Sequence, residues 1–144
     1  MIRTEREGGI VRLIIDRPER RNAIDAATAR ALGDALLAVQ ADTATRVIVI
    51  KGAGEVFSTG RDLKASAAAA ADDGRARDPF SEDDAWVRIF QLLQRSSVPS
   101  VAVVRGHAVA GGFTLAMGCD FVLAEKGATF GAYEMRHGFP AAVC

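Results

Sequence analysis

An α/β fold is predicted by three features of the sequence. Short β-branched runs at Val47–Ile50 and Val101–Val104 each lead into a glycine-bearing loop and then a helix-prone segment. The pattern therefore occurs twice, over Val47–Ala71 and Val101–Met117, without matching sequence. Before the first of these, Ile2–Glu7 and Ile10–Asp16 flank Gly8-Gly9 and read as a β-hairpin. Strands that alternate with amphipathic helices bury their apolar faces as a layered α/β structure.

The remaining elements follow from local chemistry. Asp25 can cap a helix whose apolar stripe is Leu32, Ala35, Leu36 and Val39, ending near Ala41 or Asp42. Ala65–Ala71 is helix-prone but almost without large side chains, and polar Asp72–Pro79 is expected to be a mobile loop. Ser81 with Asp84 forms a capping-box pattern for a helix with Trp86, Ile89, Phe90 and Leu93 on one face, stopped by Pro99. After Val101–Val104 the chain is read as a loop holding Gly106, Gly111 and Gly112, then a helix over about Gly112–Met117. Phe121–Ala124 is a further strand, Ala128–Gly131 another, and Glu134–His137 a turn or short helix.

With 144 residues, 49% of them hydrophobic and 25% charged, the chain is expected to form one domain spanning 1–144. Eighteen basic and 18 acidic residues cancel, which argues against nucleic acid or an anionic membrane as partner. No apolar run reaches membrane-spanning length and the N-terminus lacks a signal-peptide core. The two cysteines, Cys119 and Cys144, have no paired or metal-type spacing, so reduced thiols in a cytoplasmic protein and no metal site are expected.

Glycine loops at the carboxyl ends of strands often converge on one ligand site. Such a loop either cradles an anion or oxyanion or is only a tight turn. Two nucleotide readings fail: Gly52-x-Gly54 has Phe57 where a third glycine belongs, and Gly106-x4-Gly111 is followed by Gly112-Phe113 instead of Lys-Ser/Thr.

Four blocks, Asp16–Ile24 (DRPERRNAI), Val56–Lys64 (VFSTGRDLK), Gly106–Asp120 (GHAVAGGFTLAMGCD) and Ala128–Glu134 (ATFGAYE), resemble in order and spacing the successive motifs of the crotonase family, which includes enoyl-CoA hydratases and isomerases. The resemblance implies a crotonase-like spiral of ββα units and chemistry on acyl-CoA thioesters through an enolate-like intermediate. It implies that the backbone N–H groups of Arg61, after Gly60, and of Gly111 form an oxyanion hole; one such donor contributes about 2.7–4 kcal/mol to lowering a barrier. An arginine at 61 departs from the small residue commoner there, but the donor is backbone. Asp62, Leu63 and Lys64, with Ala23 of the first block, match the segment along which the CoA moiety lies. Arg17, Arg20 and Arg21 either meet its phosphates or form a solvated turn. CoA is then part of the substrate, and no separate cofactor is implied.

Acid–base groups distinguish the reactions. Thr114 stands three residues after Gly111, where hydratases of the family usually carry a glutamate, and a threonine cannot serve as a general base. Glu134 matches the second catalytic glutamate, or is a surface glutamate on a turn. Hydration uses two groups to hold and deprotonate a water, whereas moving a double bond needs one base, so a single carboxylate favours isomerisation. Hydration of a 2-enoyl-CoA and a non-catalytic CoA-binding fragment are the alternatives. The resemblance further implies that the family's C-terminal helical region is absent, that relatives form trimers or pairs of trimers, and that a shortened spiral exposes apolar surface. Cys119 is expected to be a buried small residue, Asp120 to fix the following strand, His107 to line the wall beside the loop and Trp86 to be core or pocket wall.

Overall fold

In the computed structural model, residues 1–62, 65 and 81–133 are described, with backbone only at 81–83. The N-terminal hairpin forms as expected: β1 (Ile2–Glu7) pairs antiparallel with β2 (Ile10–Ile15), placing Glu7 opposite Ile10. A 3-10 turn at Pro18–Arg20 leads to α1 (Ala26–Ala41). Asp25 caps α1 by accepting the Thr28 N–H at 2.8 Å, satisfying one orphan donor of the first turn. β3 (Val47–Gly52), α2 (Ser81–Gln94), β4 (Ser100–Val104), β5 (His107–Val109), α3 (Gly111–Met117), β6 (Phe121–Ala124) and β7 (Thr129–Gly131) follow.

The main sheet has the order β1-β2-β3-β4-β6, with β2, β3, β4 and β6 parallel. Its inner face carries Val11, Leu13, Ile15, Ile48, Ile50, Ala102 and Val104, all fully buried against Leu32 and Leu36 of α1, Ile89 and Leu93 of α2 and Leu115 of α3. Burying each large aliphatic side chain contributes about 1.5–3 kcal/mol, so this layer is what holds the helices to the sheet. Gln40 Nε2 donates to the Leu92 carbonyl at 3.0 Å and links α1 to α2. At the outer edges the two sides differ. β1 alternates Arg3, Glu5 and Glu7 with exposed polar neighbours, which discourages edge pairing. β6 exposes Phe121 and Leu123, each 62% accessible.

A second layer of short strand-like segments runs beside the main sheet. Ile24 bridges Arg61, Ser58 bridges Ala108, and β5 pairs in parallel with β7. Each turn of chain thus contributes one strand to the large sheet and one short rung to the small ladder before its helix. This is the expected spiral of ββα units, and it brings the segments after β3 and β4 side by side.

Several expectations are refined. His107–Val109, read as loop, is a strand, because Ser58 and β7 supply backbone partners on either side. The second helix has Ser81 as its first residue instead of its flanking cap, and it ends at Gln94, before Pro99. The third helix begins at Gly111, one residue earlier than expected. Of the expected helix over Ala65–Ala71 only Ala65 is described, as helical; 66–71, the loop 72–79 and the turn 134–137 lie outside the described residues. Among the described residues no helix is long and apolar enough to cross a membrane.

Candidate active site

The site is assembled around Asn22. Arg21 and Asn22 both take left-handed backbone angles, with φ of 50° and 55°, and asparagine tolerates that region better than most residues. The Asn22 side chain is fully buried and fully used. Its Oδ1 accepts the Arg17 N–H at 3.0 Å, and its Nδ2 donates to the carbonyls of Ala53 at 2.8 Å and Val56 at 2.6 Å. One amide therefore ties the turn after β2 to the loop after β3.

That loop is then laid against β5. Phe57 N–H donates to the Arg105 carbonyl, Ser58 N–H to His107, and Val109 N–H back to the Ser58 carbonyl. Ser58 Oγ is fully buried; it donates to the Asn22 carbonyl at 2.8 Å and accepts the Gly60 N–H at 3.0 Å. The Gly60 carbonyl accepts the Ile24 N–H at 2.7 Å, and the Ile24 carbonyl accepts the Asp62 N–H at 3.0 Å. Because a trans peptide sends its N–H opposite to its C=O, the Arg61 N–H is aimed away from Ile24.

Gly60 has φ +81°, and a Cβ there would lie 2.5 Å from the Gly111 nitrogen and 3.1 Å from the Val109 carbonyl oxygen. Only glycine combines that angle with that approach. A Cβ on Gly111 would lie 3.0 Å from the ring of Trp86, so Trp86 is a wall of this corner as well as core. Trp86 in turn stacks with Phe90 at 6.2 Å between ring centres. Ala110, just before Gly111, has φ +50° and ψ −132°, a strained conformation for a residue with a side chain. Its own N–H donates to the Gly131 carbonyl at 2.8 Å, which fixes the Val109–Ala110 peptide, while the next peptide, which presents the Gly111 N–H, is held through the Ala110 carbonyl. Thr114 is half-buried one turn further along α3, its N–H donating to the Ala110 carbonyl at 3.2 Å.

Gly60, Arg61, Gly111 and Thr114 are thus gathered at one corner, with Ala23 and Asp62 just behind Ile24. Leu63, Lys64 and Glu134 lie outside the described residues. Asp62 is only 5% exposed. One of its oxygens pairs with Arg17 at 3.2 Å and the other accepts the Ala65 N–H at 3.1 Å. Its carboxylate therefore holds the segment in place.

Arg17 is the main correction to the expected phosphate ligands. Its guanidinium is mostly buried, paired with Asp25 at 3.1 Å and Asp62 at 3.2 Å, and bonded to the Ala23 carbonyl. Burial alone would raise the Asp25 carboxyl, but the Thr28 N–H and hydroxyl and the charge of Arg17 outweigh it and hold it below its ordinary value. Arg20 and Arg21 are exposed. His107 is also exposed, with its Nδ1 2.6 Å from Thr129 Oγ1.

Cys119 and Asp120 behave as the sequence suggests. Burial pushes the Cys119 thiol up to about 12. Asp120 accepts from Ser100 Oγ at 2.7 Å and Ser100 N–H at 2.8 Å, tying the entry to β6 to the start of β4; these bonds lower its carboxyl. Among the described residues no three His, Cys, Asp or Glu side chains group so as to hold a metal ion. Ser58 and Ala110 are the parts of the corner that sequence reading did not single out, and Asn22, read only as a member of the first block beside the CoA phosphates, is a buried tether instead. The one local signal was Ser58 two residues before a glycine, a spacing that suits a side-chain turn.

Residues 5–144 match the family model described as enoyl-CoA hydratase/isomerase. The chain belongs to that family. Within it, the chain is 38% identical over 138 residues to a carnitinyl-CoA dehydratase of Salmonella arizonae, covering 95% of this chain and 50% of that protein. It is 33% identical over 152 residues to a hydroxycinnamoyl-CoA hydratase-lyase of Pseudomonas fluorescens, covering 96% and 50%. The structure superposes on an enoyl-CoA hydratase/carnithine racemase from Magnetospirillum magneticum with a TM-score of 0.88 and 28% identity, covering 96% of this chain and 51% of that one. The fold is therefore the crotonase fold, and the chain spans about half the length of the curated relatives it matches.

Proposed function

We propose that the chain acts on acyl-CoA thioesters, holding the thioester oxygen between the Arg61 and Gly111 N–H groups. The observation that carries this reading is the approach of the Gly60 backbone to the Gly111 nitrogen, with both peptides fixed by neighbouring bonds. Donors fixed in advance at a site of developing negative charge need no reorganisation when the charge appears. Family membership supports the same reading.

Glu134 is the proposed acid–base group, on its place in the last motif. Thr114 stands one turn from Gly111 and has no ionisable group to serve as a second base. One carboxylate suffices for double-bond migration: it takes a proton from C2 of a 3-enoyl-CoA, the electron pair passes to the thioester oxygen, and the proton returns at C4, leaving a C2=C3 double bond. Water addition to a 2-enoyl-CoA is the second reading, favoured by the dehydratase and hydratase-lyase names of the two relatives. A CoA-binding chain without catalysis is the third, favoured by Thr114, which has no ionisable group, standing at the first acid–base position.

The test is a paired assay of the purified 144-residue chain on 2-enoyl-CoA and 3-enoyl-CoA. Faster double-bond migration, abolished in Glu134→Gln while acyl-CoA still raises the melting temperature, is the expected result. Faster hydration selects the second reading, stabilisation without turnover the third, and neither effect removes the acyl-CoA assignment.

A further inference from the structure

We infer that Ser58, itself held by Asn22, is a positioning residue for the oxyanion hole. The inference rests on the acyl-CoA reading above and adds to it the group that sets the hole's geometry. A backbone donor on a loop is only as well aimed as its peptide plane, and the Gly60–Arg61 plane is governed by what holds the glycine before it. Gly60 has no side chain to pack and a φ of +81°, so its conformation is imposed from outside.

Two bonds impose it. Ile24 N–H takes the Gly60 carbonyl at 2.7 Å, and Ser58 Oγ takes the Gly60 N–H at 3.0 Å. The first comes from the backbone and survives any side-chain change. The second depends on one hydroxyl, whose proton is committed to the Asn22 carbonyl at 2.8 Å, leaving its lone pairs toward Gly60. Asn22 is anchored by its own bonds to Arg17, Ala53 and Val56. The relay is fully buried at both side chains, so water does not substitute for a missing member. The Ser58 backbone separately pairs with His107 and Val109, on the strand that runs into Ala110–Gly111. Ser58 therefore sets one donor through its hydroxyl while its main chain keeps the loop registered against the strand that carries the other.

Catalysis of this kind is sensitive to small errors in aim, and a displacement of about 1 Å can cost about a hundredfold in rate. Ser58→Ala deletes the hydroxyl and leaves the main-chain pairing. The probe is butyryl-CoA labelled with 13C at the thioester carbonyl, which is saturated and does not turn over. The readout is the carbonyl stretching band of the bound probe by isotope-edited infrared spectroscopy, alongside kcat and KM on the preferred enoyl-CoA.

In the wild type the band is expected to move to lower frequency than in water, because two N–H donors polarise the carbonyl. Ser58→Ala is expected to return the band most of the way and to lower kcat about a hundredfold, with KM within roughly twofold. Ser58→Cys, which keeps the volume and a weaker acceptor, is expected to fall between the two. It replaces Ser58→Ala in the comparison if the alanine variant does not fold. A full wild-type shift in whichever variant folds overturns the positioning role, whatever happens to the melting temperature. Absence of the shift in the wild type itself, with the probe bound, instead overturns the oxyanion-hole reading and this inference with it.

Discussion

Gly60 and Gly111 meet backbone to backbone: a methyl group on Gly60 would stand 2.5 Å from the Gly111 nitrogen, and one on Gly111 would stand 3.5 Å from the Gly60 Cα. Gly60→Ala therefore combines a left-handed angle with overlap onto main chain, for an expected loss of about 3 kcal/mol or more. Gly8 provides the comparison, since it also has positive φ, +56°, but nothing lies within 4 Å of its Cβ position. Gly8→Ala should cost only about 1 kcal/mol from the backbone angle. Urea unfolding of the two variants separates these terms, and equal losses would show that the close approach is unimportant.

Ala110 offers the opposite case. Its φ of +50° with ψ −132° favours glycine, so Ala110→Gly should raise stability by about 1 kcal/mol and the melting temperature by about 3 °C. A lower melting temperature would mean that packing of the Ala110 methyl outweighs the relief of strain.

Much of this arrangement was legible in the sequence, and the limits have physical causes. The Asp25 cap, the stripes of α1 and α2, the hairpin around Gly8 and the convergence of the two glycine loops are written in spacings shorter than two helical turns or in repeated local patterns. What escaped is nonlocal. Arg17 lies 45 residues from Asp62, and Ser58 lies 36 from Asn22, so no periodicity reports that they pair. β5 is only three residues long and sits between glycines, too short for alternation to show. Glu134, the residue on which the choice of reaction depends, was identified by motif and lies outside the described residues.

Asp120 should make the fold sensitive to acid. Its carboxyl lies below the ordinary 3.8 because Ser100 hydrogen-bonds its charged form. The unfolded chain therefore takes up the proton first, and the stabilisation is complete above about pH 5, shrinking as pH falls through the unfolded and then the native value. Asp120→Asn should lower stability at neutral pH and give a shallower decline between pH 5 and roughly 2 in melting curves. An unchanged slope would assign the acid sensitivity to other carboxylates.

Cys119 should be inert. With its thiol pushed from 9.0 to about 12, the thiolate fraction at pH 8 falls by about a thousandfold, before steric protection is counted. In a Cys144→Ser background, folded protein should react with a disulfide reagent at least that much more slowly than denatured protein. Rapid labelling under native conditions would contradict the burial of the thiol.

The tether from Asn22 through Ser58 to Gly60 has an effect on how the protein can be made or divided. Two of the bonds that shape the residue-61 amide, the Ile24 N–H on the Gly60 carbonyl and the Asn22 carbonyl on Ser58 Oγ, reach back to residues 22–24, across a gap of about three dozen positions. The glycine loop does not carry its own instructions. A segment beginning after α1 would keep β3, β4 and the whole second motif, yet its amide would lose the Ile24 bond, and Ser58 would lose the Asn22 carbonyl that orients its hydroxyl. Competence is acquired only when the earliest turn of the chain has docked.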